Sequence, residues 1–207
     1  MKQEEEKHVS YQTYNVDQAG QINPSATTVN NNYVSESTVV YGSHSTRMDA
    51  YFRKLREEIE SNTTQEIIDD LLEYKTKLDG RKGLEEKLTD GGFSQQDINW
   101  ALRKKQQYAK KATRFECYPS AQEINLLLFG EIKAKFDRYV FPRIKKGETV
   151  EIVMQLIDEV IVSPIMRMLN ENGAHDEDLH YTSDHIYGMV YYLTGMCHLN
   201  WTDYDNL

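Results

Sequence analysis

The residues best suited to chemistry stand near the C-terminus. Cys197 and His198 are neighbours, and a thiol beside an imidazole can form a nucleophile with its base, or half of a metal site. Adjacent residues seldom face one another, whereas a nucleophile and its base must lie within hydrogen-bond reach while a third group orients the base. The structural alternative makes Cys197 a small buried apolar residue and has His198 and Trp201 lock the C-terminal turn through one hydrogen bond each. We adopt that alternative and assign no catalytic residue. Zinc needs a third and a fourth ligand. His175, His180 and His185 lie in an acidic stretch with no Cys-x-x-Cys partner, and His180 and His185 do not have the spacing of four that shares a helix face. No metal ligand and no cofactor is assigned.

Arg103, Lys104 and Lys105, with Lys110, Lys111 and Arg114, form the one basic run of note and are a candidate polyanion contact. The commoner role of such a run is a solvated helix face. Tyr187, Tyr191 and Tyr192 read as core or interface packing, since no cofactor motif accompanies them. There is no P-loop, no Gly-rich dinucleotide fingerprint and no Gly-x-Ser-x-Gly elbow, so the expectation is a protein that is not an enzyme.

The whole chain limits these options further. A net charge of −9 keeps the surface as a whole from being a nucleic-acid footprint, because neutralising phosphate needs excess Lys and Arg. Two cysteines outside any regular framework predict reduced thiols and a cytoplasmic setting. The polar start predicts no export signal, and no run approaches the length of a membrane span. With 207 residues and a mean hydropathy of −0.69, one core with one appendage is expected.

Three segments would position the candidate residues. Residues 1–45 are rich in Gln, Asn, Ser, Thr, Val and Tyr and read as a polar, short-strand or disordered segment. Strands are expected at Tyr11–Val16 and Thr38–Tyr41, with turns at Asn23-Pro24 and Asn30–Asn32. Residues 46–61 read as a connecting amphipathic helix, with Met48, Tyr51, Phe52, Leu55 and Ile59 at spacings of three and four. Residues 62–207 read as a mainly α bundle, giving about six to seven helices in all. Within it a helix is expected from Asn62 or Thr63 to Gly80, then a short one over Gly83–Leu88 and one from Ser94 towards Thr113. A Ser120-capped apolar helix should end at Pro142, a further helix over Thr149–Leu169 should kink at Ser163-Pro164, and a last one should lie near Ser183–Thr194.

Four blocks in this order carry a resemblance that periodicity cannot supply: Gly83-Leu-Glu-Glu-Lys-Leu88, Ser120-Ala-Gln122, Ile161-Val-Ser-Pro-Ile165, and Ile186-Tyr-Gly-Met-Val-Tyr-Tyr-Leu-Thr-Gly-Met-Cys-His-Leu-Asn-Trp201. Over roughly residues 62 to 203 the chain resembles the C-terminal domain of bacterial ABC-three-component (ABC-3C) systems, departing from it at Met196 and Asn200. The resemblance implies structural or interaction roles for Tyr187, Gly188, Tyr191, Leu193, Thr194, Gly195, Cys197, His198 and Trp201. It also implies an anti-phage or anti-plasmid system with an SMC- or Rad50-like ABC ATPase, a middle component and an effector, linked by a domain without chemistry of its own. Residues 1–45 are too few for an effector enzyme, so an adaptor serving a separate effector is expected. Self-association through the strand-like segment is expected with it. The alternative is a small nucleic-acid-binding regulator using the basic helix at 103–114.

Overall fold

A computed structural model describes residues 13–16, 22–25, 37–77, 82–173 and 176–202. The chain forms two compact units, residues 1–40 and 41–207. In the first, β1 (Thr13–Val16) pairs antiparallel with β2 (Ile22–Ser25), in a register that sets Thr13 opposite Ser25 and Val16 opposite Ile22. The expected strand at Tyr11–Val16 is present as β1. Asn23-Pro24, expected as a turn, lies inside β2, which a two-stranded sheet tolerates because each strand keeps one unpaired edge for a residue with no N–H to donate. Thr38–Tyr41 is not a strand but the beginning of α1 (Ser37–Ser61). Extending an established helix adds a hydrogen bond per residue without a new nucleus, and this outweighs the modest strand preference of Thr and Val. Asn30–Asn32 lie outside the described residues.

The described elements of the second unit are all helices. After α1 come α2 (Asp69–Lys75), α3 (Leu84–Asp90), α4 (Gln95–Phe115), α5 (Pro119–Lys135), α6 (Phe141–Lys145), α7 (Val150–Ile157), α8 (Ser163–Asn172) and α9 (Ser183–Gly195). α5 and α6 are joined by a π-helical turn at Phe136–Val140, and α7 and α8 by another at Asp158–Val162. Each pair is thus one continuous rod, and seven rods make up the helical part described, within the expected range.

Both π turns sit directly before the residue pair that carries a proline. Phe141 N–H reaches back five residues to Phe136 O, and Ser163 N–H does the same to Asp158 O. The wider turn leaves Pro142 and Pro164 in the first turn of the following helix, where a missing N–H costs nothing. Pro142 therefore does not end its helix, which runs on to Lys145. The kink expected at Ser163-Pro164 takes the form of the preceding π turn.

Two starts differ from expectation. Residues 62–68 form no helix, and α2 begins only at Asp69. Asn62 adopts a left-handed φ of 52°, Gln65 N–H donates to Cys117 O at 2.8 Å, and Ile68 N–H donates to Gln122 Oε1 at 2.9 Å. These tertiary bonds take the backbone groups that a helix there would use. α2 stops at Lys75, and the expected Asp79-Gly80 end lies outside the described residues. α5 is likewise not capped by Ser120. Its N-cap is Tyr118, and the Glu58 carboxylate on α1 receives both Ser120 N–H (2.9 Å) and Ser120 Oγ–H (2.6 Å). A carboxylate satisfies the donors of a helix N-terminus better than a neutral hydroxyl does.

The core follows from patterning. α5 is apolar on nearly all sides and buries Ala121, Ile124, Leu128, Phe129 and Ile132. α1 turns Met48, Phe52 and Leu55 inward, and α4 turns Ile98, Ala101, Tyr108 and Phe115. Burying one such side chain contributes about 1.5–3 kcal/mol. α4 and α9 form the most extensive helix pairing.

Candidate functional site

The C-terminal block begins where α9 crosses α4. Thr182 N–H donates to His185 Nδ1 at 3.1 Å at the start of α9. Gly188 marks the closest approach of the two helices: a Cβ there would lie 2.4 Å from Lys104 O and 2.6 Å from Tyr108 Cβ. One end of α9 faces α4 residues 100–104 through aromatic contacts, with the Trp100 ring edge-on to Tyr187 at 5.3 Å and to Tyr191 at 5.9 Å. Tyr192 stacks on Phe129 of α5 with centroids 5.8 Å apart. Burial and the Asp158 carboxylate, which accepts from its hydroxyl at 3.1 Å, push the Tyr187 phenol up to about 12.

α9 ends in a Schellman motif, with His198 N–H bonded to Leu193 O at 2.9 Å and Cys197 N–H to Thr194 O at 3.1 Å. The left-handed position of this motif usually carries glycine. Here it is Cys197, with φ of 71°. A side chain in that conformation costs about 1–2 kcal/mol, and its Sγ–H contact with Lys82 O at 3.6 Å ties the turn to the segment before α3. Four residues beyond Cys197, Trp201 Nε1–H donates to Thr194 Oγ1 at 2.9 Å, and Thr194 Oγ1 donates to Val190 O at 2.9 Å. This relay satisfies groups whose loss while buried costs about 1–3 kcal/mol each. Trp201 packs edge-on to Phe93 and Phe136. Gly195 leaves room for Lys105, whose Nζ would be 2.8 Å from a Cβ at that position.

Cys197 and His198 diverge. The thiol points to the Lys82 carbonyl, and the imidazole lies against the Tyr74 ring with centroids 5.1 Å apart. The side-chain hydrogen bond expected of Trp201 is present, whereas His198 Nε2 is buried without a partner. Burial holds this imidazole below the ordinary histidine range, against the backbone of Glu73 and Tyr74, which favours its protonated form. His185 accepts at Nδ1 in the cap of α9, and burial, with Lys111 nearby, lowers its pKa too. His180 is exposed with φ of 41°, and His175 lies outside the described residues. No cluster of three or more metal-ligating side chains occurs among the described residues.

A model of C-terminal domain 9 of the ABC-three component (ABC-3C) systems matches residues 83–201, more than half of the chain. The chain belongs to this family. No curated protein and no solved structure matches it. In this ABC-3C domain the match begins at the residue before α3 and ends on Trp201, so it encloses the whole α3, α4 and α9 arrangement just described. Residues 62–82, including α2, lie outside it. Membership of a multi-component system implies partner proteins. No helix among the described residues is long and apolar enough to cross a membrane.

The basic run of the ABC-3C domain splits into two sets. Lys104 pairs with Asp184 at 2.6 Å and lies 5.3 Å over the Trp100 ring, and Lys111 donates to Leu179 O. Lys105 is half-buried against Gly195, and burial lowers its pKa, with Lys77 adding to the shift. Arg103, Lys110 and Arg114 are exposed, and Arg114 lies 5.2 Å over the Phe115 ring.

Three residues that hold the site escape sequence reasoning. Lys87 is 1% exposed and donates to Leu199 O and Asn200 Oδ1, each at 3.1 Å, fastening α3 to the C-terminal turn. Asn125 Oδ1 accepts from both Tyr108 and Tyr181, and Glu58 holds the N-terminus of α5. A polar residue inside the apolar α5 helix is the one signal that could have exposed Asn125. Gln122, within a block that carries the resemblance, donates to Glu66 O and Glu116 O and accepts from Ile68 N–H.

Proposed function

We propose that this chain is a non-enzymatic adaptor of a bacterial anti-phage or anti-plasmid ABC-3C system. It acts in the cytoplasm and links an SMC- or Rad50-like ABC ATPase and a middle component to a separate effector. The match of residues 83–201 to an ABC-3C C-terminal domain carries this reading. The use of the block supports it: Gly188, Thr194, Gly195, Cys197 and Trp201 serve helix crossing, capping and packing, and the Cys197 thiol points away from His198. Among the described residues the β1–β2 hairpin has unpaired edges, on which strands of a second copy or a partner can add.

The test is reconstitution with the purified ATPase and middle component of the same system. Co-elution of the full chain, unchanged by Cys197→Ala, is expected. Failure of the folded chain to bind either protein would overturn the adaptor role, and a cellular toxicity that Cys197→Ala abolishes would replace it with a hydrolase. Deleting residues 1–45 is expected to lower the oligomer mass, and an unchanged mass removes the hairpin from assembly. A second reading, a nucleic-acid-binding regulator, draws on the exposed set Arg103, Lys110 and Arg114. Salt-dependent duplex binding that is lost on neutralising these three would favour it.

A further inference from the structure

A groove of about 540 Å³ opens where the N-terminal halves of α4 and α7 converge. α9 supplies its floor. The Trp100 ring of α4 stands edge-on to Tyr191 at 5.9 Å, and the Tyr191 hydroxyl reaches Met154 Sδ of α7 at 3.7 Å. Phe93 and Val150 line this groove and also a second one, of about 310 Å³, that extends to Ile144 and Trp201.

The two grooves differ in charge. In the second, the carboxylates are already taken: Asp90 pairs with Lys82 at 2.6 Å and Glu148 with Arg143 at 2.9 Å, while Lys145 lies 5.8 Å from the Phe141 ring. The charged side chains of the first are Asp97, Glu151 and Arg103, and none of them makes an ion pair among the described residues. Arg103 follows Asp97 by six residues, about 9 Å along the helix axis. It marks the far end of the groove and pairs with neither carboxylate. Lys104 lies 5.3 Å over the Trp100 ring, but its charge is spent on Asp184 at 2.6 Å.

Acceptors are in surplus as well. Tyr191 is 1% exposed, and among the described residues its hydroxyl has only the weak thioether acceptor of Met154, while its oxygen accepts nothing. Burial, then Tyr187 and Asp97 nearby, raises this phenol well above its ordinary value. Helix dipoles favour a carboxylate in the first turns of α4 and α7, and Asp97 also accepts from Ser94 Oγ–H at 2.6 Å. That explains each acid separately. It does not explain why two unpaired acids from different helices line one aromatic groove.

We propose that this groove docks a basic segment of a partner protein and that the occupant presents an arginine with apolar neighbours. The guanidinium lies along the Trp100 ring between Asp97 and Glu151, where its planar fork meets a π face and a carboxylate together. An adjoining apolar side chain enters the second groove over Phe93 and Val150. The proposal deepens the adaptor reading and rests on it for the partner being a protein of the same system.

The first arm of the test titrates the full chain with a blocked peptide that carries one arginine between two leucines, and follows the indole N–H NMR signals of the two tryptophans. The Trp100 signal should shift, whereas that of Trp201, buried and bonded to Thr194, should stay. The same peptide with glutamate in place of arginine should move neither. Asp97→Asn/Glu151→Gln, checked for fold by circular dichroism, should weaken the arginine peptide by about tenfold, and Arg103→Ala should tighten it by removing a like charge. An unmoved Trp100 signal, an equal response to both peptides, or wild-type affinity in the double variant would overturn the proposal. Weaker binding by Arg103→Ala would also overturn it, since the groove then reads an acidic group. The second arm repeats co-elution with the purified ATPase and middle component. Loss of co-elution in the folded double variant supports the groove, and co-elution equal to the wild type overturns it while the adaptor reading stands. If neither protein binds the wild type but the arginine peptide does, the adaptor reading falls and the groove stands.

Discussion

Replacing Gly188 by alanine sets a methyl carbon 2.4 Å from Lys104 O and 2.6 Å from Tyr108 Cβ. Both distances are roughly 1 Å inside ordinary contact. The first obstacle is backbone, so no rotamer change relieves it, and α9 must move away from α4 along their crossing. Overpacking of this kind costs about 1–3 kcal/mol. Alanine returns at most about 1 kcal/mol of helix propensity, so even at full return the net destabilisation reaches about 2 kcal/mol. For a chain of this size that lowers the midpoint of thermal unfolding by up to roughly 8 °C. Gly130 supplies the internal control, since it lies within α5 and a Cβ there meets nothing within 4 Å. Gly130→Ala keeps the propensity gain without the clash and should stabilise by about 0.5–1 kcal/mol. Thermal and urea unfolding of both variants, followed by circular dichroism, give the comparison. If Gly188→Ala matches the wild type or exceeds it, the close crossing of α4 and α9 is refuted. If both substitutions destabilise alike, the reasoning from local space fails.

Thr194→Val leaves the Trp201 indole N–H buried without its acceptor and should cost about 1–3 kcal/mol; in a urea double-mutant cycle with Trp201→Phe, a coupling near zero would exclude the relay. Cys197→Gly relieves the left-handed strain while losing the contact with Lys82 O, whereas Cys197→Ala keeps the strain and loses the contact, so unfolding midpoints should place the glycine variant above the alanine variant by about 1 kcal/mol. His185 and His198 have folded pKa values below the ordinary histidine value, so the unfolded chain binds protons that the folded chain does not. Stability therefore falls as pH drops through about 6.5 and levels off below the folded values, measured by urea midpoints between pH 7.5 and 5. His198→Phe should flatten that slope, since it removes one of the two imidazoles that the folded chain holds below the ordinary range.

Helices with one apolar stripe were legible because burial enforces a 3.6-residue period, and α4 and α9 fall where that period places them. Elements fixed by tertiary bonds were not. Residues 62–68 carry helix-compatible residues yet form no helix, because Gln122 on α5 claims the N–H of Ile68 and the carbonyl of Glu66. Pro142 reads as a stop and Pro164 as a kink, since sequence shows the missing donor but not the wider turn that makes it harmless. In the C-terminal block Trp201 was recognisable as a lock. The buried role of Lys87 was not, because a lysine reads as solvated until a carbonyl and an amide are found waiting for it.

The rare residue types of that block answer geometric demands one by one. Gly188 allows two helices to touch, Gly195 admits Lys105, Thr194 sits between Trp201 and Val190, and Cys197 takes a backbone angle at which its thiol meets Lys82 O. Each demand concerns how α3, α4 and α9 meet, and none of these side chains projects a reactive group into an open site. A block that specific fixes one face of α4 and thereby decides which other face is turned outward. The exposed Arg103, Lys110 and Arg114 are therefore presented on a helix whose rotation is set from behind. Holding a surface at a defined angle lowers the ordering cost of binding, so the block can govern assembly without itself touching a partner.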